Sequence, residues 1–176
     1  MLAAAGFELV FRTLHIMAGV AWAGSAFLFT VFLEPAASKL GPAAGHFMEE
    51  TIGRRKAPEI VTAIAAVTVI AGWVLWFKGL DRVDSFGDWL GTSFGLVLTI
   101  GGLAATGAFF AGLLGVPPNL KRRTSSVRRS RPSGGPPTPE QATRIARIQG
   151  RMRTLSWLDL ALLAIAVFCM ATARSW

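Results

Sequence analysis

Four apolar stretches dominate the chain, at roughly 13–33, 58–77, 89–116 and 155–173. An α-helix rises 1.5 Å per residue, so about 20 apolar residues cross the hydrocarbon core of a bilayer. Each stretch is long enough for one crossing. None alternates apolar and polar residues with a period of two, as a membrane barrel strand would. Composition agrees, with 52% of the 176 residues hydrophobic and a mean hydropathy of +0.49, high for an ordinary soluble domain. The expected fold is all-α: a single integral membrane domain, 1–176, built as a four-helix transmembrane bundle.

The N-terminus has no basic n-region and carries Glu8 and Arg12 early, so it reads as the start of the first span rather than a signal peptide. One cysteine, Cys169, leaves no internal disulfide and no cysteine-rich metal site.

Charge sets the expected orientation. Residues 117–153 hold ten basic residues, six of them Lys121, Arg122, Arg123, Arg128, Arg129 and Arg131, against one acid, Glu140. A pI near 11.3 invites nucleic-acid binding. The positive-inside rule accounts for it better, because this loop joins two spans; no nucleic-acid partner is expected. The connection between the first two spans carries Lys39, Arg54, Arg55 and Lys56 on the same side, whereas the loop "KGLDRVDSFGD" is net acidic. Both basic loops are therefore expected in the cytoplasm and both termini outside. Trp73, Trp76, Trp89 and Trp176 then fall at the outer interface and Trp157 at the inner one.

The basic loop divides in two. Residues 117–137 are rich in Pro, Gly, Ser and Arg and read as mobile. Thr138, Pro139 and Gln141 then supply an N-cap, a first-turn proline and a capping-box partner. An amphipathic helix over 138–153 follows, with Ile145, Ile148, Met152 and Leu155 on one face and Arg144, Arg147 and Arg151 on another. Its basic face suits anionic lipid headgroups, or it is a solvated helix that merely obeys the charge rule.

Small residues are dense in the first and third spans, from Ala18 and Gly19 to Ala26 and from Gly91-x-x-x-Gly95 to Gly112. Such residues let membrane helices approach closely, which predicts that these two spans pack inside the bundle.

His15 is one of two histidines and stands in the apolar run "LHIMAGVAWAGSAFLF". Counted from Thr13, it lies about 3 Å below the outer boundary. Met17, Cys169 and Met170 fall in the same depth band. Gly19 and Trp22 follow His15 at i+4 and i+7 on one helix face. Three roles are open to the imidazole. It can be an interfacial histidine bonded to a main-chain carbonyl, Thr172 or headgroup water. It can be an axial haem ligand, with Gly19 making room, Trp22 walling the pocket and Met170 or a second chain's His15 as the other ligand. It can join Met17, Cys169 and Met170 as a copper site, because sulfur and imidazole suit Cu(I).

Glu34, Glu59 and Asp159 sit at inner helix ends and read as boundary ion-pairing groups, Asp159 near Arg153, with a proton path as the other possibility. His46 reads as a surface histidine. No phosphate loop, nucleophile triad, HExxH or CxxC occurs, so no catalytic activity of its own is expected.

Two segments resemble a known group. "LHIMAGVAWAGSAFLFTVFLEPA", with Leu14-His15, Trp22, Gly24 and Pro35, is similar to the first helix of the copper-resistance protein D-like superfamily of small bacterial membrane proteins. "RIARIQGRMRTLSWLDLALLAIAVFCMATAR" is similar to the last helix of those proteins. Together the segments cover about a third of the chain. That group includes copper-uptake membrane domains and the haem-binding membrane protoporphyrinogen oxidases. The resemblance implies His15 as a haem ligand. The third span, "LVLTIGGLAATGAFFAGLLGV", has no charge or histidine, and the oxidase activity is not carried over.

The expected function is a haem b-binding protein of the bacterial inner membrane: an electron-transfer or haem-handling module, or a small subunit of a respiratory complex. Copper uptake or tolerance is the alternative, and a cofactor-free accessory subunit packed on a larger complex is the third. The expected partners are the bilayer, anionic headgroups, and a second copy or a larger membrane assembly.

Overall fold

A computed structural model describes residues 2–40, 49–115 and 139–175. The expected mobile loop, the Thr138 cap, His46 and Trp176 lie outside the described residues, as do the side chains of Arg144, Ile145 and Ile148. Among the described residues every regular element is a helix. Four helical segments are long and apolar enough to cross a membrane: Gly6–Leu40, Ala57–Leu80, Ser93–Leu114 and Gly150–Ser175.

The first span is longer than its apolar run. Helix α1 is Leu2–Phe27; a π-helical stretch, Leu28–Leu33, carries it into α2, Glu34–Leu40. The chain remains helical past Pro35. A proline inside a helix has no N–H to donate and crowds the carbonyl four residues back. The helix widens just before it, and the Glu34 N–H bonds to the Phe29 carbonyl, five residues back.

Helix α3, Ala57–Leu80, starts after Lys56, which turns the chain in the left-handed conformation (φ 52°), with Pro58 in the first turn. The third apolar run is not one helix. A short helix α4, Phe86–Gly91, is capped by Ser85, whose hydroxyl accepts from the Asp88 N–H. The chain turns at Thr92 in an extended conformation and enters α5, Ser93–Gly115. The Thr92 hydroxyl accepts from the Gly95 N–H and so caps α5. The fourth span and the amphipathic segment form one helix, α6, Pro139–Thr172, ending in a 3-10 turn, Ala173–Ser175. On its first half, Arg147 and Arg151 are exposed and Met152 and Leu155 half-buried, as the amphipathic pattern requires.

The bundle is built from two helix pairs. Helix α1 packs on α3, and α5 packs still more extensively on α6, with thinner contact between the pairs. Small residues explain the tight α5–α6 seam. A Cβ at Gly101 would lie 3.0 Å from the Cys169 Cβ, and one at Gly107 3.4 Å from Leu162. The expectation that Gly91 and Gly95 form a packing motif is corrected. Nothing lies within 4 Å of a Cβ at Gly91, and Gly95 meets only the corner formed by Trp89 and Thr92. Gly24 likewise faces open space. At the centre Trp22, Ala65, Ala108 and Leu163, one from each span, form the buried core. Exposed Leu, Ile, Val and Phe side chains cover the outside, including Val20, Ile70, Leu103 and Phe168.

Candidate functional site: the His15 cleft

His15 is the fourteenth residue of α1, and its partner Thr68 is the twelfth of the 24 residues of α3, so the ring meets the middle of that helix. His15 Nδ1 lies 2.8 Å from the Thr68 carbonyl oxygen. A carbonyl only accepts, so Nδ1 carries the proton and donates it. That carbonyl also accepts the Gly72 N–H within α3; its second lone pair serves the histidine.

Glycine at 72 permits the approach. A Cβ there would stand 2.8 Å from His15 Cε1 and 3.0 Å from Nδ1. Neither Thr68 nor Gly72 was singled out from the sequence. The signal available was a Thr-x-x-x-Gly step in the second span at a depth the first-span histidine could reach.

In the neutral tautomer with its proton on Nδ1, Nε2 presents a lone pair. It lies 3.3 Å from the Met170 Sδ, itself a lone-pair donor to metals and a weak acceptor of hydrogen bonds. At this distance the two side chains expected to share an iron or a copper ion are brought side by side. At 3.3 Å they are spaced as neighbouring ligands of one metal.

The cleft beside this pair has a volume of about 630 Å3 and reaches all four spans. That lies within the usual range of ligand sites, about 300–1,000 Å3. His15, Gly19, Trp22 and Met170 all line it, so these four expected residues are brought together. Gly19 packs on Thr68, where an added Cβ would make an ordinary 3.4 Å contact. Met17 is 67% exposed and does not line the cleft. Cys169, half-buried, lies against Gly101. The four-residue copper set is therefore not assembled on one surface; only His15 and Met170 meet.

Trp73, Trp76 and Trp89, expected at the outer interface, turn their indoles into the bundle. Trp73 Nε1 donates to Thr106 Oγ1 at 3.0 Å. Trp76 and Trp89 both donate to Thr99 Oγ1, at 2.9 and 3.2 Å. Each threonine hydroxyl passes its own proton to a carbonyl one turn back, Gly102 and Gly95, so every group is satisfied. Gly79 gives Trp89 its space, since a Cβ there would fall 2.6 Å from the ring. These three rings wall the cleft, with Trp157 left half-exposed at the other end of the bundle.

The same cleft is lined at its terminal end by Glu8, Arg12, Lys78, Arg82 and Arg174. Glu8 and Arg82 form an ion pair between α1 and the loop after α3. The lining thus runs from an apolar, aromatic floor to a rim with four basic side chains and one acid. No family model, curated protein or solved structure matches the chain.

Proposed function

We propose that this chain is a multi-pass protein of the bacterial inner membrane that binds haem b, with His15 Nε2 as its protein ligand. The supporting observation is the fixed imidazole: a ring whose N–H is tied to the Thr68 carbonyl presents its other nitrogen to a large aromatic cleft. Histidines that bind metals almost always donate their second ring nitrogen in this way, which fixes tautomer and orientation. Trp22, Trp73 and Trp76 provide flat apolar walls, and Gly19 leaves room beside the ring. Arg12, Arg82, Arg174 and Lys78 suit the carboxylates of such a ligand. Bound there, haem supplies one-electron redox chemistry. Met170, with its flexible thioether, turns away from Nε2 to admit it. The positive-inside pattern favours cytoplasmic basic loops, which puts the cleft rim and both termini outside. Electron transfer or haem handling, alone or within a respiratory assembly, is the role that follows. The test is the absorption spectrum of protein purified from haem-replete cells. A Soret band that His15→Ala abolishes is expected; a colourless wild-type preparation would overturn the reading.

The 3.3 Å approach of His15 Nε2 to Met170 Sδ favours a second reading, a copper(I) site in a protein of copper uptake or tolerance. Imidazole and thioether are suitable soft donors, and their spacing already fits adjacent ligands. Stoichiometric Cu(I) binding lost in both His15→Ala and Met170→Leu, without a Soret band, would select this reading over haem.

A further inference from the structure

Asp159 was expected to pair with a cation at the helix boundary, but no ion pair to Arg153 forms. Its Oδ1 is inaccessible and has no hydrogen-bond partner. The carboxyl lies on α6 beside Gly112 of α5, where a Cβ would stand 3.8 Å from Oδ1. It lines a second cavity, of about 240 Å3, at the end of the bundle where Pro58 begins α3. Ser25, Thr62 and Ser156 line the same space, and each donates its hydroxyl proton to a main-chain carbonyl of its own helix. These hydroxyls therefore offer the cavity lone pairs only. The Thr30 hydroxyl also lines the cavity but makes no hydrogen bond to Asp159 Oδ1, and a charge on a carboxyl oxygen left without a partner there is strongly disfavoured.

We propose that Asp159 is a proton-binding site at the foot of a pathway from the loop end of the bundle, separate from the His15 cleft. The proton bonds to a carboxyl oxygen and leaves by the same cavity as hydronium, so no further reactant is required. Trp22 lines both cavities, so the two sites approach one indole from opposite ends. Among the described residues Asp159 is the one titratable group lining this space. Glu34 at the end of the first span, exposed Glu59 on α3, and exposed Arg151 and Arg153 on α6 share its elements without lining it; α5 carries no titratable side chain.

The test is infrared spectroscopy of the full chain in lipid nanodiscs, without added haem or copper, so its outcome is independent of the His15 reading. Wild-type protein with 13C-labelled aspartate side chains is expected to show a carboxylic-acid carbonyl band near neutral pH. The band should shift in heavy water, vanish reversibly at alkaline pH and be absent from Asp159→Asn. Asp81, Asp84 and Asp88 are exposed and remain in Asp159→Asn, which makes that variant their control. Absence of a labelled band from the wild type overturns the proposal without recourse to the variant. A band retained in Asp159→Asn also overturns it. So does a titration that moves when sodium replaces an impermeant cation at fixed ionic strength, which marks a metal-cation site instead.

Discussion

The imidazole of His15 and the main-chain carbonyl of Thr68 join the first and second spans through a 2.8 Å hydrogen bond, and Gly72 leaves the space for it. A methyl group at 72 would overlap the ring at 2.8 and 3.0 Å, and the ring is not the far end of a flexible chain but a short side chain already bonded. Gly72→Ala is therefore expected to break the bond and cost about 1–3 kcal/mol, the usual range for overpacking. It should also abolish or strongly reduce the Soret band. Gly24→Ala, where an added Cβ meets nothing within 4 Å, is the control and should change both little. Thermal unfolding in detergent and the absorption spectrum check both; equal behaviour of the two variants would contradict the geometry.

Haem and copper make opposite demands on Met170. If His15 alone holds iron and Met170 turns away to admit the ring, Met170→Leu preserves the Soret band; loss of the band would mark Met170 as a second ligand. If copper(I) is the ligand, the same change removes one of two soft donors and weakens binding about tenfold or more, or at least about 1.4 kcal/mol. His15→Ala abolishes either signal. Spectra and competition titrations of the two variants separate the readings.

Thr99 holds two indole N–H groups and Thr106 one. Replacing a hydroxyl acceptor by a methyl leaves each buried or half-buried indole donor unpaired, at about 1–3 kcal/mol apiece in general, toward the low end between membrane helices. Thr99→Val should therefore destabilise the bundle more than Thr106→Val. Tryptophan emission should shift in both, since the rings lose their anchors. Equal midpoints of unfolding for the two variants would show that the shared acceptor is not the stronger tie.

The spans were legible because lipid imposes a length and a polarity that twenty consecutive residues either meet or fail. That α6 runs unbroken from the amphipathic segment into the last span is a finding of the structure. What the sequence left hidden was direction. Trp73, Trp76 and Trp89 have the composition of an interface belt, and only the threonines of a neighbouring helix reveal that they turn inward. The same applies to the site: His15, Gly19, Trp22 and Met170 were found from spacing on single helices. Thr68 and Gly72 contribute a carbonyl and an absent side chain, features that carry no residue-type signature. Met17 was grouped with them by depth alone, and depth does not specify which face of a helix a side chain occupies.

Orientation is the last expectation to test, and the single cysteine makes it tractable. Cys169 is first replaced by serine, and purified protein is checked for unchanged unfolding, because its Cβ packs on Gly101 and tolerates a side chain of similar size. Asp84→Cys, in the acidic connection between α3 and α4, and Ser130→Cys, in the arginine-rich segment, are then introduced separately. With the basic loops held in the cytoplasm, a membrane-impermeant maleimide should label the cysteine at 84 in intact cells. The cysteine at 130 should react only after permeabilisation. The reverse pattern would place the His15 cleft rim toward the cytoplasm, and the cleft would then exchange its ligand with the cell interior.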